Sequence, residues 1–319
     1  MVRPSPRGDL EGIVRWLVSR KTARRGLNAV YNRLSAARKE TFYGSFAKIF
    51  REHPQRVATG EWTVDVGGRR MVLPLDGHEM WLEWDLAVSL LGHELEIKHT
   101  YLEMIRFRRP RLFFDVGANY GLHSALFLLH GVPTVSFEPN PKCHWYLRTL
   151  AERNGFKAEL QAVALGAAEG WVDITFPERD TWLGSTNPAV TDQIAREHGG
   201  TMETVRVPQT TLDAFVQKDG RLPDLIKVDT EGNEAAILEG ARETLRSSHA
   251  WVIFESWREA ERAGLLAFFE GLGYRICALP LVHSRPPELL DEAKLRKWPG
   301  TNLIALPIRD LEDSFRFCE

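Results

Sequence analysis

Hydrophobic and polar positions follow two different periods along this chain, and the change of texture near residue 111 divides it. Beyond that point, apolar runs at 112–116, 134–137, 160–163, 225–228 and 251–254 predict short strands. Helical spacing over 122–129, 143–154 and 234–246 predicts helices between most of them. Alternation of this kind makes a mostly parallel sheet with helices on both faces. Two later strands, 274–278 and 301–306, have no helix of ordinary pattern tightly linking them and are expected to pair antiparallel at the sheet edge.

Before residue 111 the pattern differs. Residues 61–75 alternate in period two around Gly67-Gly68, which predicts a hairpin. Helices are expected over 81–90 and 96–107, and Ile13, Trp16, Leu17, Leu27, Val30, Tyr31 and Leu34 lie near helical spacing. The first forty residues hold ten Lys and Arg against three Asp and Glu. Two readings fit this segment: solvated helices resting one face on the main domain, or a basic amphipathic patch for a membrane surface or acidic partner.

Composition narrows the class. The formal net charge of −2 over 319 residues gives no global pull toward nucleic acid. Cys143, Cys277 and Cys318 are far apart and without CxxC spacing, which fits a reducing cytoplasm better than a disulfide framework or zinc cluster. The apolar run 13–18 is broken by Arg15, and no stretch has the length of a membrane span, so neither a signal peptide nor an integral segment is expected.

The strongest local signal is Asp115-Val-Gly-Ala-Asn-Tyr-Gly121. It predicts a strand ending in an acid, then a turn in which Gly117 and Gly121 let the backbone approach a ligand closely at a helix N-terminus. Twenty-three residues later Glu138 follows the next strand, the spacing at which a carboxylate accepts ribose hydroxyls. Together these point to adenosine. Nicotinamide dinucleotides need G-x-G-x-x-G, and an acid as near as Asp115 repels a pyrophosphate.

At these residues the sequence resembles the FkbM-type family of class I S-adenosylmethionine-dependent methyltransferases. Gly92-His-Glu-Leu-Glu96 resembles the family's G-x-Y-E-x-E, with His93 in place of the aromatic residue. Asp115–Gly121 matches D-V-G-A-N-x-G, and Phe137-Glu-Pro-Asn140 matches F-E-P-N. Ala164-Leu-Gly166, Thr211-Leu-Asp213, Ile226-Lys-Val-Asp-Thr-Glu-Gly-Asn-Glu234 and Leu238-Glu-Gly240 follow in the family's order, and Asn302-Leu-Ile-Ala gives a weaker echo. The resemblance covers residues 90 to 257. It implies a Rossmann-like fold with a mostly parallel seven-stranded sheet and an antiparallel edge strand. The methyltransferase domain would occupy 91–319, and 1–90 would be a helical extension with a β-hairpin. It further implies S-adenosylmethionine held by Glu94, Asp115, Gly117, Ala118, Asn119, Gly121, Glu138, Pro139, Ala164 and Asp229, with the adenine near Gln161.

For the chemistry, an alcohol acceptor must lose its proton, which calls for a base or a metal. Asp229 and Glu231 after the fourth strand are the first candidates, and His123 is the third, with His99 as a further histidine. Glu234 reads better as a helix N-terminal acid. Asp229 with Glu255 makes half of a divalent site, so no metal is assigned. Trp182 lies in the long connection 177–203, where acceptor loops sit. The resemblance implies a hydroxyl on a sugar, polyketide or other secondary metabolite, a small-molecule or glycan acceptor. N-methylation of an amide or peptide, and a non-catalytic adenosine-binding module, stand as alternatives.

Overall fold

The computed structural model describes residues 60–75, 93–178, 181, 183–198, 200–256 and 259–314, with scattered positions between 20 and 41. The chain divides into two compact units, one reaching to Leu95 and including Glu152–Gly155, the other made of Glu96–Ala151 and the residues from Phe156 onward.

The first unit contains the expected hairpin. Strands β1 (Gly60–Val66) and β2 (Arg69–Leu75) pair antiparallel from Gly60↔Leu75 to Val66↔Arg69. Gly67 and Gly68 have φ of 57° and 79°, the two positive values that a two-residue hairpin turn requires. Val64, Met71 and Leu73 are buried, and Val72 exchanges two 2.7 Å hydrogen bonds with the Asn154 side chain. The helix expected at 81–90 and nearly all of the basic segment lie outside the described residues.

The second unit holds nearly all of α1 (Leu95–Phe107), then β3 (Phe113–Val116), α2 (Leu122–Leu129), β4 (Thr134–Phe137), α3 (Pro141–Asn154) up to Ala151, and β5 (Glu159–Gln161). An excursion follows through β6 (Ala164–Leu165), β7 (Gly170–Pro177), α4 (Pro188–His198), β8 (Met202–Thr210) and α5 (Leu212–Asp219). The chain then returns as β9 (Leu225–Val228), α6 (Glu234–Glu239), α7 (Arg242–Ser248), β10 (Trp251–Glu255) and α8 (Glu259–Gly271). It closes with β11 (Tyr274–Ala278), α9 (Glu292–Lys297), β12 (Asn302–Pro307) and α10 (Ile308–Ser314).

Seven strands form one sheet in the order β11-β12-β10-β9-β3-β4-β5. The five from β10 to β5 run parallel, and β12 lies antiparallel between β10 and β11. The edge pair expected at 274–278 and 301–306 is therefore present. Because β3 leads outward to β4 while β9 lies on its other side, the strand order reverses between β3 and β9. A parallel sheet opens its ligand crevice at the carboxyl ends of such a pair.

Period two gives the sheet two unlike faces. Phe114, Val116, Val135, Phe137, Ile226, Val228, Val252 and Phe254 join one apolar core with Leu212, Val216, Ile237, Leu238, Leu245, Leu265 and Phe269 from the helices. The opposite face starts apolar, with Phe113 against Tyr101 and Phe127. It turns polar toward the carboxyl ends, where Asp115, Ser136 and Lys227 are fully buried.

Three local expectations are corrected. The helix predicted over 234–246 is two helices, because Gly240 passes the Gly166 backbone so closely that a Cβ there would stand 2.1 Å from its carbonyl oxygen. Asp115 does not end its strand; β3 continues to Val116. The connection 177–203 holds α4 and is flanked by β7 and β8, which with β6 form a separate three-stranded sheet that the pattern reading omitted.

Candidate functional site

Register builds the site in two rows. Ser136, Asp115, Lys227 and Ile253 are Cα partners across β4, β3, β9 and β10. Two residues further on, and so on the same face, stand Glu138, Gly117, Asp229 and Glu255. In the first row Ser124 of α2 donates to Asp115 Oδ2 at 2.6 Å and lies 2.7 Å from the Ser136 hydroxyl. Asp115 Oδ1 is buried and has no hydrogen-bond partner among the described residues. Lys227, only 2% exposed, donates to Asp229 Oδ2 at 2.6 Å.

The glycine turn fills the gap in the second row. Gly117 has φ of 77°, and a Cβ on it would stand 1.8 Å from the Asp229 carbonyl oxygen, so only glycine lets the two loops touch. The contact is fixed by Asp229 N donating to Val116 O at 3.1 Å, and Gly117 N and Ala118 N both donate to Phe137 O at 3.0 Å. Asn119 is left-handed with φ of 53°, and Gly121 starts α2 with its Cα against Leu147.

Glu138 is buried and anchored from both sides. Its carboxylate accepts from Asn119 N and Asn140 N, each at 2.7 Å. Burial pushes its pKa up to about 7; the two backbone donors oppose the rise, and the nearby Asp115 adds to it. Pro139 separates Glu138 from Asn140, whose side chain donates to Thr181 O at 2.8 Å and receives Lys142 N at 3.0 Å. Gln161 holds the neighbouring strand end through its carbonyl, which accepts from Glu138 N at 3.1 Å. Ala164 is buried in the small sheet beside Ile174, Phe176 and Val207.

At the other end of the row, Glu231 adopts a left-handed φ of 53° and Gly232 one of 93°. Ser185 donates to Glu231 O at 2.8 Å, and Asn187 donates to Gly232 O at 2.9 Å. Glu234 closes the same loop, taking Thr230 N, Thr230 Oγ1 and Gly232 N on one oxygen, a loop-bracing role. Glu255 is held well above the usual carboxylate range by burial first, then by Asp229, Glu231 and Glu234. Lys227 opposes the rise. Among the described residues no three His, Cys, Asp or Glu side chains converge as a metal needs.

Not every candidate joins these rows. His123 lies in α2 with Nδ1 3.2 Å from the Tyr101 hydroxyl, and His99 is half-buried in α1. Glu94, left-handed with φ of 50°, belongs to the first unit. Trp182 lies outside the described residues, although its neighbour Thr181 is bound by Asn140 and by the Tyr120 hydroxyl. Sequence reasoning missed Lys227, Ser185 and Asn187. The first stood inside the quoted motif 226–234 and as one charge in an apolar run, without a role assigned to it; the other two make contacts that no local pattern announces.

This strand order, with β12 reversed and a glycine turn at the switch, defines the class I methyltransferase fold. A model of the methyltransferase FkbM domain matches residues 115–276, and the chain belongs to this family of S-adenosylmethionine-dependent methyltransferases. Among solved structures it is similar to the methyltransferase FkbM from Methylobacillus flagellatus KT, at 14% identity and a TM-score of 0.41, over 73% of this chain and 56% of that one. This chain thus spans little more than half the length of that relative. It is also similar to the precorrin-6y C5,15-methyltransferase from Geobacter metallireducens GS-15, at 12% identity and a TM-score of 0.38, over 67% of this chain and 89% of that one. A comparison with curated proteins finds no match.

The residues fit such a donor. A buried carboxylate oxygen without a partner among the described residues suits a cationic amine. Glu138 retains lone pairs after its two backbone bonds, as a hydroxyl-binding carboxylate must.

Proposed function

We propose that the chain methylates a hydroxyl on a sugar, polyketide or related small metabolite. The observation that carries this reading is the row of acids at the carboxyl strand ends, with Asp229 lying directly against the Gly117 turn. When bound, S-adenosylmethionine supplies an electrophilic methyl group on a sulfonium. The protein's own work is to align the acceptor, exclude water and take the acceptor's proton.

In this reading Asp115 holds the donor's ammonium and Glu138 its ribose hydroxyls. Gly117, Ala118, Asn119 and Gly121 form the turn around it, and Pro139 and Ala164 border the adenosine. Asp229 meets the reactive end. Asp229 and Glu231 carry the proton chemistry, with His123 in reserve, and Glu94 enters through the motif at 92–96 alone. Glu255, whose hold on a proton is strengthened by burial and by the neighbouring acids, is in this reading a hydrogen-bond donor toward the crevice. The methyltransferase domain takes 91–319 and the extension 1–90, in a cytoplasmic protein. No helix among the described residues is long and apolar enough to cross a membrane.

Calorimetry with S-adenosylmethionine, S-adenosylhomocysteine and NAD tests the donor site. The first two are expected to bind and the third is not. Incubation with methyl-labelled donor and a panel of sugar and polyketide alcohols then tests the acceptor class. Label appearing only on nitrogen acceptors would reject the hydroxyl assignment while leaving the donor site intact.

A further inference from the structure

A lysine in the middle of a parallel sheet is costly. Lys227 lies in a four-residue strand, β9, whose every residue is buried, and its ammonium reaches along the strand to Asp229 Oδ2 at 2.6 Å. Taking one ammonium out of water costs several kcal/mol unless a partner compensates, so such pairs act as fixed registers for the groups they hold. Asp115 stands beside Lys227 in register on β3, and Glu255 lies close enough to feel the ammonium. The lysine thus places a cation beside Asp229, Asp115 and Glu255, outside every role assigned above.

We infer that Lys227 is a positioning residue for methyl transfer: it fixes the Asp229 carboxylate beside the Gly117 turn and, through Asp229, sets how strongly the site prefers the charged donor over its uncharged product. This rests on the donor site proposed above. Methyl transfer turns a sulfonium into a neutral thioether, so donor and product differ by one positive charge at the reactive end. Asp229 attracts that charge, and Lys227 offsets the attraction. A lysine that only supported the fold would alter the binding of both ligands alike.

The test is the ratio of affinities for S-adenosylmethionine and S-adenosylhomocysteine, measured by calorimetry in mildly alkaline buffer, above the range in which Glu138 titrates. Lys227→Met is expected to raise the preference for S-adenosylmethionine at least about fivefold, the order expected for one charge removed near a partly solvated site. Lys227→Gln, which keeps a donor to Asp229 without the charge, is expected to shift it in the same direction and decides the matter if the methionine variant is insoluble. Lys227→Arg should leave the ratio near that of the unaltered protein. In an Asp229→Asn background, Lys227→Met should cause no further shift. A folded Lys227→Gln with an unchanged ratio overturns the inference, as does a shift that persists without the Asp229 charge. If the unaltered protein binds neither ligand, the donor site itself falls and the inference with it.

Discussion

Glu138 is anionic where it is needed only above a certain pH. Burial raises its pKa from 4.5 to about 7, so its protonated form favours the folded state. That contribution is complete below about pH 4.5 and is lost as pH rises through about 7. Donor binding runs the other way, since the ionised carboxylate is the stronger acceptor for hydroxyls. Affinity for S-adenosylmethionine is therefore expected to rise between about pH 6 and about pH 8, while the ligand-free protein loses some thermal stability over the same window. Glu138→Gln should flatten both curves, and Glu138→Ala should weaken donor binding tenfold or more, as loss of ~1.5–3 kcal/mol per charged hydrogen bond implies. Calorimetry across pH checks this; a level affinity in the unaltered protein would remove Glu138 from the ribose site. Asp229→Asn and Glu231→Gln are expected to lower turnover by ~10²–10⁴-fold and to change donor affinity much less. Full methyl incorporation in both variants would return the proton chemistry to His123.

Between single residues and the sheet, several family motifs prove to be joints. Thr211 caps α5 by accepting Ala214 N at 3.0 Å, and Asp213 caps α7 from thirty residues away, accepting Thr244 N at 2.7 Å and Glu243 N at 3.1 Å. Gly166 and Gly240 let the end of the small sheet meet the junction between α6 and α7. Asp213→Ala is expected to cost ~1–2 kcal/mol in urea unfolding without altering donor affinity, as the loss of a cap does. A matching fall in donor affinity would show that the joint reaches the site. These elements also explain what the sequence disclosed. Strands β3, β4, β9 and β10 are buried on both faces and read as short apolar runs, broken only by single polar residues such as Asp115, Ser136 and Lys227, so their limits were legible to within a residue or so. Strands β7 and β8 mix exposed positions, including Trp171, Asp173, Thr204 and Arg206, with few buried ones, and were passed over as loop. The acids of the site were visible through spacing from each strand. Lys227 was not, because nothing in Leu-Ile-Lys-Val distinguishes a buried ammonium from a surface one. Ser185 was not, because its partner Glu231 is 46 residues away.

At the scale of the whole molecule, every motif quoted above lies after residue 90, and the basic segment 1–40 lies before all of them. Deleting residues 1–40 is expected to leave the S-adenosylmethionine affinity within about twofold, a change smaller than ~0.5 kcal/mol. A folded truncation that no longer binds donor would tie the segment to the chemistry. The strand order has a different consequence, which concerns synthesis. Strand β3 ends at Val116, and its partner β9 begins at Leu225 after the whole excursion through the small sheet. A ribosome adding ~5–20 residues per second needs roughly 5–20 seconds to cover that interval. Throughout it, one edge of β3 remains without the neighbour it will have, and chains cut short before β9 carry that open edge permanently. The switch point that opens a crevice for a ligand therefore also makes this domain slow to close around its own centre, and nascent chains of this length are the form in which aggregation should be sought.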